Sequence, residues 1–211
     1  DLVPGGVDGT RFRPSGDRSD VRRRLGIGTD RFVLLTVRRL DPRMGLEDLV
    51  RAAALLRSLS PLLLVVGSGR LEGRLREVAR EEGIEGEVRL PGSVPDGALP
   101  DYYRAADLFV LPSRGLEAFG LVTLEALASG LPVVGTDVGG TEEILRPLDP
   151  RLVSGTGPEA LASAIERAHR EGLCVPAFAE RCRAYALERF PWERAVEALE
   201  RSYRAALEGK G

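Results

Sequence analysis

Short apolar runs alternate along the chain with longer stretches in which apolar residues recur at helical spacing. Phe32-Val33-Leu34-Leu35-Thr36-Val37 reads as a strand, and Leu46, Leu49, Val50, Ala53 and Leu56 then mark one face of a helix. Leu62 to Val66 is a near-continuous apolar run, followed by a charged amphipathic helix from Leu71 to Glu82. Glu87 to Leu90 is a weaker strand and Asp107 to Leu111 a stronger one, leading to a helix near Gly120 to Ser129. Leu131 to Gly135 and Leu152-Val153 complete the set. Apolar runs of this kind, separated by helices, predict an α/β fold with a doubly wound parallel sheet of about six strands, covered on both faces. The ends differ. Residues 1–31 hold no early strand, and Ser19 to Gly26 has the cap and glycine stop of one short helix. Residues 157–208 read as purely helical, with starts or breaks at Pro176 and Pro191 and an apolar stripe of Ala195, Val196, Leu199, Tyr203 and Ala206.

A chain of 211 residues with 43% hydrophobic and 29% charged residues suits one such domain with its own core. The longest uncharged stretch, Ser58 to Gly69, is too short to span a bilayer, and the N-terminus lacks a basic-then-apolar signal pattern. A net charge of −2 argues against a nucleic-acid binder driven by bulk charge. Every basic residue but Lys210 is arginine, which nearly excludes Schiff-base or P-loop lysine chemistry. Cys174 and Cys182, eight residues apart in a helical stretch, read as reduced thiols of a cytoplasmic protein rather than a disulfide or metal pair. With His169 the single histidine beside two cysteines, the sequence argues against a zinc site or a histidine-dependent triad.

Open parallel sheets bind ligands outside the carboxyl ends of their strands, so the loops after the strands carry the candidate chemistry. After the first comes Arg38-Arg39-Leu40-Asp41-Pro42-Arg43-Met44-Gly45, three arginines before a helix start, which is either an anion site or a solvated basic loop. After the second comes Gly67-Ser68-Gly69, a small-residue turn whose GxGxxxG spacing and position do not match a dinucleotide fingerprint. After Leu111 comes a segment with Glu117 before a helix and Glu125 inside it. The free N–H groups at that helix start would face the cleft and suit a phosphate, while a carboxylate can accept hydrogen bonds from sugar or ribose hydroxyls. Two surface glutamates near a helix start would read the same. Asp137-Val138-Gly139-Gly140 leads into one more helix.

Together these blocks resemble the donor-binding C-terminal half of a GT-B glycosyltransferase of the retaining family 4, glycosyl transferases group 1. The resemblance runs from about Leu2 to the end, through Val3 to Asp8, Arg11 to Pro14, Val37 to Leu40, Leu64 to Gly69, Leu90 to Val94, Tyr103 to Ser113, Glu117 to Ala126 and Gly130 to Ile144. Most specific is Glu117-Ala118-Phe119-Gly120-Leu121-Val122-Thr123-Leu124-Glu125, similar to the family's two-glutamate motif. The resemblance implies one Rossmann-like domain over 1–211, made of an interdomain segment and short helix (1–31), a core (32–155) and a helical C-terminal part (156–211). It implies a nucleotide-diphosphate sugar as donor, transfer with retention, no metal and no cofactor. Arg39 would contact the diphosphate and Glu117 would lie beside the transferred sugar, which makes these two the catalytic candidates. The helix start at Phe119, Gly120 and Leu121 would bind phosphate, and Glu125 would hold the ribose. Main chain near Leu90 would meet the base, and Gly67 and Gly69 would border the cleft.

Two departures stand out. Met44 takes the place of a lysine that commonly pairs with Arg39, so Arg43 is expected to supply the missing charge; Ala118 replaces the usual glycine before Phe119. The N-terminal acceptor-binding domain of a GT-B enzyme is absent from this sequence. The expectation is therefore a domain, excised or half of a split enzyme, that binds donor but does not transfer sugar alone, with some self-association through the uncovered face and any membrane contact residing in the missing half. The competing readings are a non-catalytic nucleotide-binding module and a nicotinamide-binding Rossmann domain.

Overall fold

The computed structural model describes residues 5–115, 117 and 119–208; Leu2 to Pro4, Ala118 and Lys210, all used above, lie outside the described residues. Helix α1 (Arg18–Arg24) is capped by Asp17, whose side chain accepts the Ser19 N–H at 2.8 Å. Strands β1 (Val33–Val37), β2 (Leu62–Val66), β3 (Val88–Gly92), β4 (Leu108–Leu111), β5 (Val133–Thr136) and β6 (Val153–Ser154) form one six-stranded sheet in the order β3-β2-β1-β4-β5-β6. Every pairing is parallel. The connecting helices are α2 (Leu46–Leu55), α3 (Glu72–Glu81), α4 (Leu99–Ala105), α5 (Leu121–Ala128) and α6 (Gly140–Leu148), and α7 (Pro158–Arg170), α8 (Pro176–Arg189) and α9 (Trp192–Glu208) follow.

The central strands are buried because both faces carry helices. Every residue of β2 and of β4 is buried, so apolar side chains point both ways and the alternation of a half-exposed strand is lost. Buried polar groups pin α1 to the sheet. Arg22, 5% exposed, donates to the carbonyls of Ala105, Thr29 and Arg31 and, at 2.6 Å, to Asp107, which also accepts the Val33 N–H at 2.7 Å. This ties the starts of β1 and β4 together.

Strand order runs outward from β1 in both directions, so the carboxyl ends of β1 and β4 flank the topological switch point, where open α/β sheets form their ligand crevice. The sequence pattern locates every strand to within a residue or two. It misses α4, where Pro100 and a cluster of tyrosines blur the helical periodicity. Cys174 lies in the turn between α7 and α8 rather than in a helix, with only Cys182 helical, and both are free thiols.

Candidate functional site

Arg38, one residue beyond β1, reaches across the switch point to the loop leaving β4. Its Nη1 donates to Ser113 Oγ at 2.9 Å and its Nη2 to Glu117 Oε2 at 2.8 Å, while Ser113 Oγ donates to the same carboxylate oxygen at 2.7 Å. The Arg38 Nη2 also lies 2.7 Å from Met44 Sδ. Ser113 is fully buried and the side chains of Arg38 and Glu117 are 7% and 15% exposed, so this is a desolvated ion pair, not a surface contact. Burial pulls the Arg38 guanidinium below its ordinary range, and the hydrogen bond and charge of Glu117 work against that shift. The Arg38 Nε is buried and has no hydrogen-bond partner among the described residues.

The backbone around Glu117 is set by the loop after β5. The Gly140 N–H donates to the Glu117 carbonyl at 3.2 Å, and Gly139 sits at φ +60° where a Cβ would come within 2.1 Å of that same carbonyl oxygen. Only glycine permits both the backbone conformation and the approach. Three residues after Glu117, Gly120 enters the left-handed region and opens α5 with no side-chain cap, leaving the first N–H groups of the helix for an outside acceptor. Phe119, half-buried, packs edge-on to Phe190 at 6.0 Å, and Leu121 is 51% exposed at the mouth.

Glu125 lies on α5 one turn below. It accepts the Tyr103 hydroxyl at 2.7 Å and borders a cavity of about 300 Å³ with Gly6, Arg11, Leu121 and Trp192. Burial raises the Glu125 carboxyl above its ordinary value of 4.5, partly countered by the Tyr103 hydrogen bond and by Arg11. Tyr103 in turn is pushed well above the usual tyrosine range by burial first and by the Glu125 charge second. Two carboxylates of different environment therefore bracket the amino end of one helix.

The remaining candidates divide. Arg39 is exposed and lines a cleft of about 250 Å³ with Gly67, Ser68, Ser93 and Val94 at the ends of β1 to β3. Arg38 borders the same cleft, but its guanidinium is turned to Ser113 and Glu117. Arg43 is exposed, in a single 3-10 turn capped by Asp41, and its carbonyl accepts the Arg114 N–H at 3.0 Å. Gly67 borders this cleft and Gly69 is not among its lining residues; at both, the lack of a side chain serves the loops themselves. A Cβ on either would lie 2.0 Å and 2.4 Å from the Arg38 and Leu40 carbonyl oxygens. Leu90 does not reach the cleft. It sits two residues short of the β3 end and lines a different cavity with Ile27 and Tyr102, whereas Ser93 and Val94 reach the cleft. The sequence places Arg38 in a candidate anion loop without a role of its own and gives Ser113 and Tyr103 none. The signal for Arg38 was its position in the arginine cluster one residue from Arg39; nothing local marked the other two.

Comparison with known proteins then decides the family. The family model described as "Glycosyl transferases group 1" matches residues 17–189. The chain belongs to this family. It is 42% identical over 97% of its length to D-inositol 3-phosphate glycosyltransferase 1 from Catenulispora acidiphila, of which it covers 51%. Among solved structures it resembles sucrose-phosphate synthase from Thermosynechococcus elongatus at a TM-score of 0.88, with 30% identity over 99% of this chain and 53% of that one. It also resembles HepE from Anabaena in complex with UDP-glucose at a TM-score of 0.81, with 25% identity over 92% of this chain and 56% of that one. The six-stranded parallel sheet is thus that of one GT-B half, and the chain spans about half the length of the relatives it matches. The nicotinamide reading finds no support among these matches. Among the described residues no helix is long and apolar enough to cross a membrane.

Proposed function

We propose that this chain is the donor-binding domain of a retaining, metal-independent glycosyltransferase, which takes a nucleotide-diphosphate sugar and passes the sugar to an acceptor held by a second domain. The observation that carries this reading is the convergence, at the β1–β4 switch point, of an uncapped helix start with one carboxylate before it and another inside it. The uncapped N–H groups of α5 suit the diphosphate, Glu125 suits two vicinal ribose hydroxyls, and Glu117 suits the hydroxyls of the transferred sugar. In the reaction the bond between the anomeric carbon and the terminal phosphate oxygen breaks, its electron pair staying on the phosphate. The acceptor oxygen bonds to the same face of the carbon, and its proton passes to the leaving phosphate oxygen. Negative charge grows on the leaving diphosphate, so arginine and helix-amide charge fixed in a low-dielectric cleft lowers the barrier by several kcal/mol, on the order of 3–4 for one well-aimed donor. The UDP-glucose bound in the Anabaena relative agrees with this ligand class.

The second domain has a natural place to dock. Trp192, Val196, Leu199, Tyr203 and Leu207 are exposed along one stripe of α9, and Leu121 adds to it at the mouth of the site. We assign this face to the acceptor-binding half, and place the protein in the cytoplasm with any membrane contact made by that half. The test is a thermal-shift and calorimetry panel of UDP, GDP, ADP, their sugar conjugates and NAD, with and without EDTA. A melting-point rise with one nucleoside diphosphate series, unaffected by EDTA, is expected. Stabilisation by NAD alone, or multiple-turnover sugar transfer by this chain without a partner, would contradict the reading.

A further inference from the structure

We propose that Arg183 is a positioning residue of the Glu125 pocket, clamping the turn at residues 8–12 to the end of α5 and so holding the Arg11 guanidinium in the cavity where Glu125 meets the ribose. The inference rests on the donor-binding reading above and adds a residue of α8 that the two-glutamate motif does not mark. Arg183 Nη1 donates to the Phe12 carbonyl at 3.0 Å and to the Ala128 carbonyl, and Nη2 donates to the Gly9 carbonyl at 3.1 Å. Gly9 and Phe12 flank Arg11 in the chain, and Ala128 is the last residue of α5, the helix that carries Glu125. One guanidinium therefore joins the turn to the helix, a task for which a planar fork of N–H donors is suited. Its charge at the carboxyl end of α5 also complements the helix dipole.

The turn is rigid in itself. Asp8 Oδ1 accepts the Thr10 N–H at 2.8 Å, the Thr10 hydroxyl at 2.6 Å and the Arg11 N–H at 3.1 Å, and the Asp8 carbonyl accepts the Phe12 N–H at 2.9 Å. Its shape is closed locally, so what the clamp supplies is its placement on α5. Phe12, 4% exposed, seats the turn with its ring edge-on to Tyr103 at 5.6 Å, and Tyr103 carries the hydroxyl bound to Glu125. The Arg11 guanidinium lies 5.0 Å from the centre of the Phe12 ring, which moves with the turn. Its outer contact is weaker. Nη2 donates to the Asp96 carbonyl at 2.9 Å, but the Asp96 carboxylate is 3.8 Å away and 93% exposed, a solvated pair that contributes little. The groups facing Glu125 are the Tyr103 hydroxyl from α4, Arg11 and Asp8 from the turn, and Asp96 from the loop between β3 and α4. Burial raises the Glu125 carboxyl, the Tyr103 hydrogen bond and then the Arg11 charge lower it, and Asp96 raises it. Arg11 is the cation of that set, and Asp8 spends its carboxylate on the turn.

Carbon-13 NMR titration of the glutamate carboxyls, with Glu125 assigned by its loss in Glu125→Gln, tests the inference without any nucleotide. The comparison takes wild type, Arg11→Met, Arg183→Met, the double variant Arg11→Met/Arg183→Met and a control, Cys182→Ser, which disturbs α8 at a fully buried site without removing the clamp. Arg183→Gln carries the test if the methionine variant does not fold. Removing Arg11 is expected to raise the Glu125 midpoint, removing Arg183 to raise it in the same direction, and the double variant to match Arg11→Met, since both act through one charge. Cys182→Ser should lower the melting point and leave the midpoint in place. An unmoved midpoint in either single variant, shifts that add in the double variant, or an equal shift in Cys182→Ser overturns the assignment. Calorimetry with UDP, GDP and ADP then tests the reading beneath it. Below the midpoint each variant should lose about tenfold in affinity for the preferred diphosphate per unit of midpoint shift. Affinity that does not follow the shifted midpoint overturns the positioning role alone, whereas wild type that binds none of the three overturns the donor-binding reading and this role with it.

Discussion

Replacing Glu125 by glutamine should weaken donor binding and strengthen the fold at the same time. Glu125 is buried enough for its carboxyl to sit above 4.5, and its one protein partner is the Tyr103 hydroxyl at 2.7 Å. Glutamine is isosteric, and its amide oxygen can still accept that hydrogen bond. A hydrogen bond to an ionised group contributes about 1.5–3 kcal/mol against 0.5–1.5 for a neutral pair, so two ribose hydroxyls each lose roughly 1 kcal/mol. The loss of about 2 kcal/mol corresponds to ~30-fold in the dissociation constant of the nucleoside diphosphate. Stability moves the other way. Because the folded carboxyl has the raised value, the unfolded chain ionises first as pH rises from 4.5, and stability falls across the window up to the folded value. Glutamine has no proton to lose, so the variant should melt higher than wild type near neutral pH, and the gap should close below 4.5. Donor affinity of wild type should climb with pH over that same window, since the ribose needs the ionised form, while the variant stays flat. Melting curves and calorimetry at matched pH values read both quantities. A variant that melts lower than wild type at neutral pH, or that binds the diphosphate with unchanged affinity, refutes the assignment of Glu125 to the ribose.

Gly139→Ala should cost about 1–3 kcal/mol of stability in denaturant titration, because φ is +60° and the new Cβ meets the Glu117 carbonyl at 2.1 Å; donor affinity should fall with it as Glu117 is displaced. Asp48→Ala should release the loop after β4, since Asp48 accepts two hydrogen bonds of 2.6 Å from Arg114. The expected loss is about 1–3 kcal/mol in the same titration, and faster amide exchange is expected between Ser113 and Arg114. Cys174 and Cys182 are both pushed up to about 12 by burial, so Ellman's reagent at mildly alkaline pH should label neither in the native chain and both in denaturant. Leu199→Glu on α9 should leave the melting point unchanged, because the residue is 44% exposed. It should abolish concentration-dependent association of the isolated chain in light scattering and weaken assembly with the acceptor-binding half.

The fold could be read from the sequence because its strands are buried on both sides. Runs such as Leu62 to Val66 have no polar interruption and are bounded by Pro61 and Gly67, so their type and their ends are marked locally. The order of the strands follows from right-handed crossovers, which leave few ways to connect six parallel strands. Helix α4 escaped because its apolar face is supplied by Tyr103, whose hydroxyl is there for Glu125 rather than for helical periodicity. The site was less legible. Glu117, Gly120 and Glu125 stand in one continuous motif whose spacing reflects one helix start, so a linear reading finds them. Leu90 misled because sequence marks the strand but not its last residue, and the cleft begins only at Ser93.

The arginine cluster shows where linear reading stops. Arg38, Arg39 and Arg43 look equivalent on paper, three charges in a loop. In space they have three environments: one clamped under Met44 and against Glu117, one lining the cleft at β1 to β3, one on an exposed turn. Arg38 turns its guanidinium to Ser113 and Glu117 while Arg39 stays exposed, and the 3-10 turn carries Arg43 outward. A substitution at 44 that removes a charge therefore cannot be judged from its own position. Among the described residues the buried guanidinium of Arg38 is the cation that reaches the Met44 sulfur.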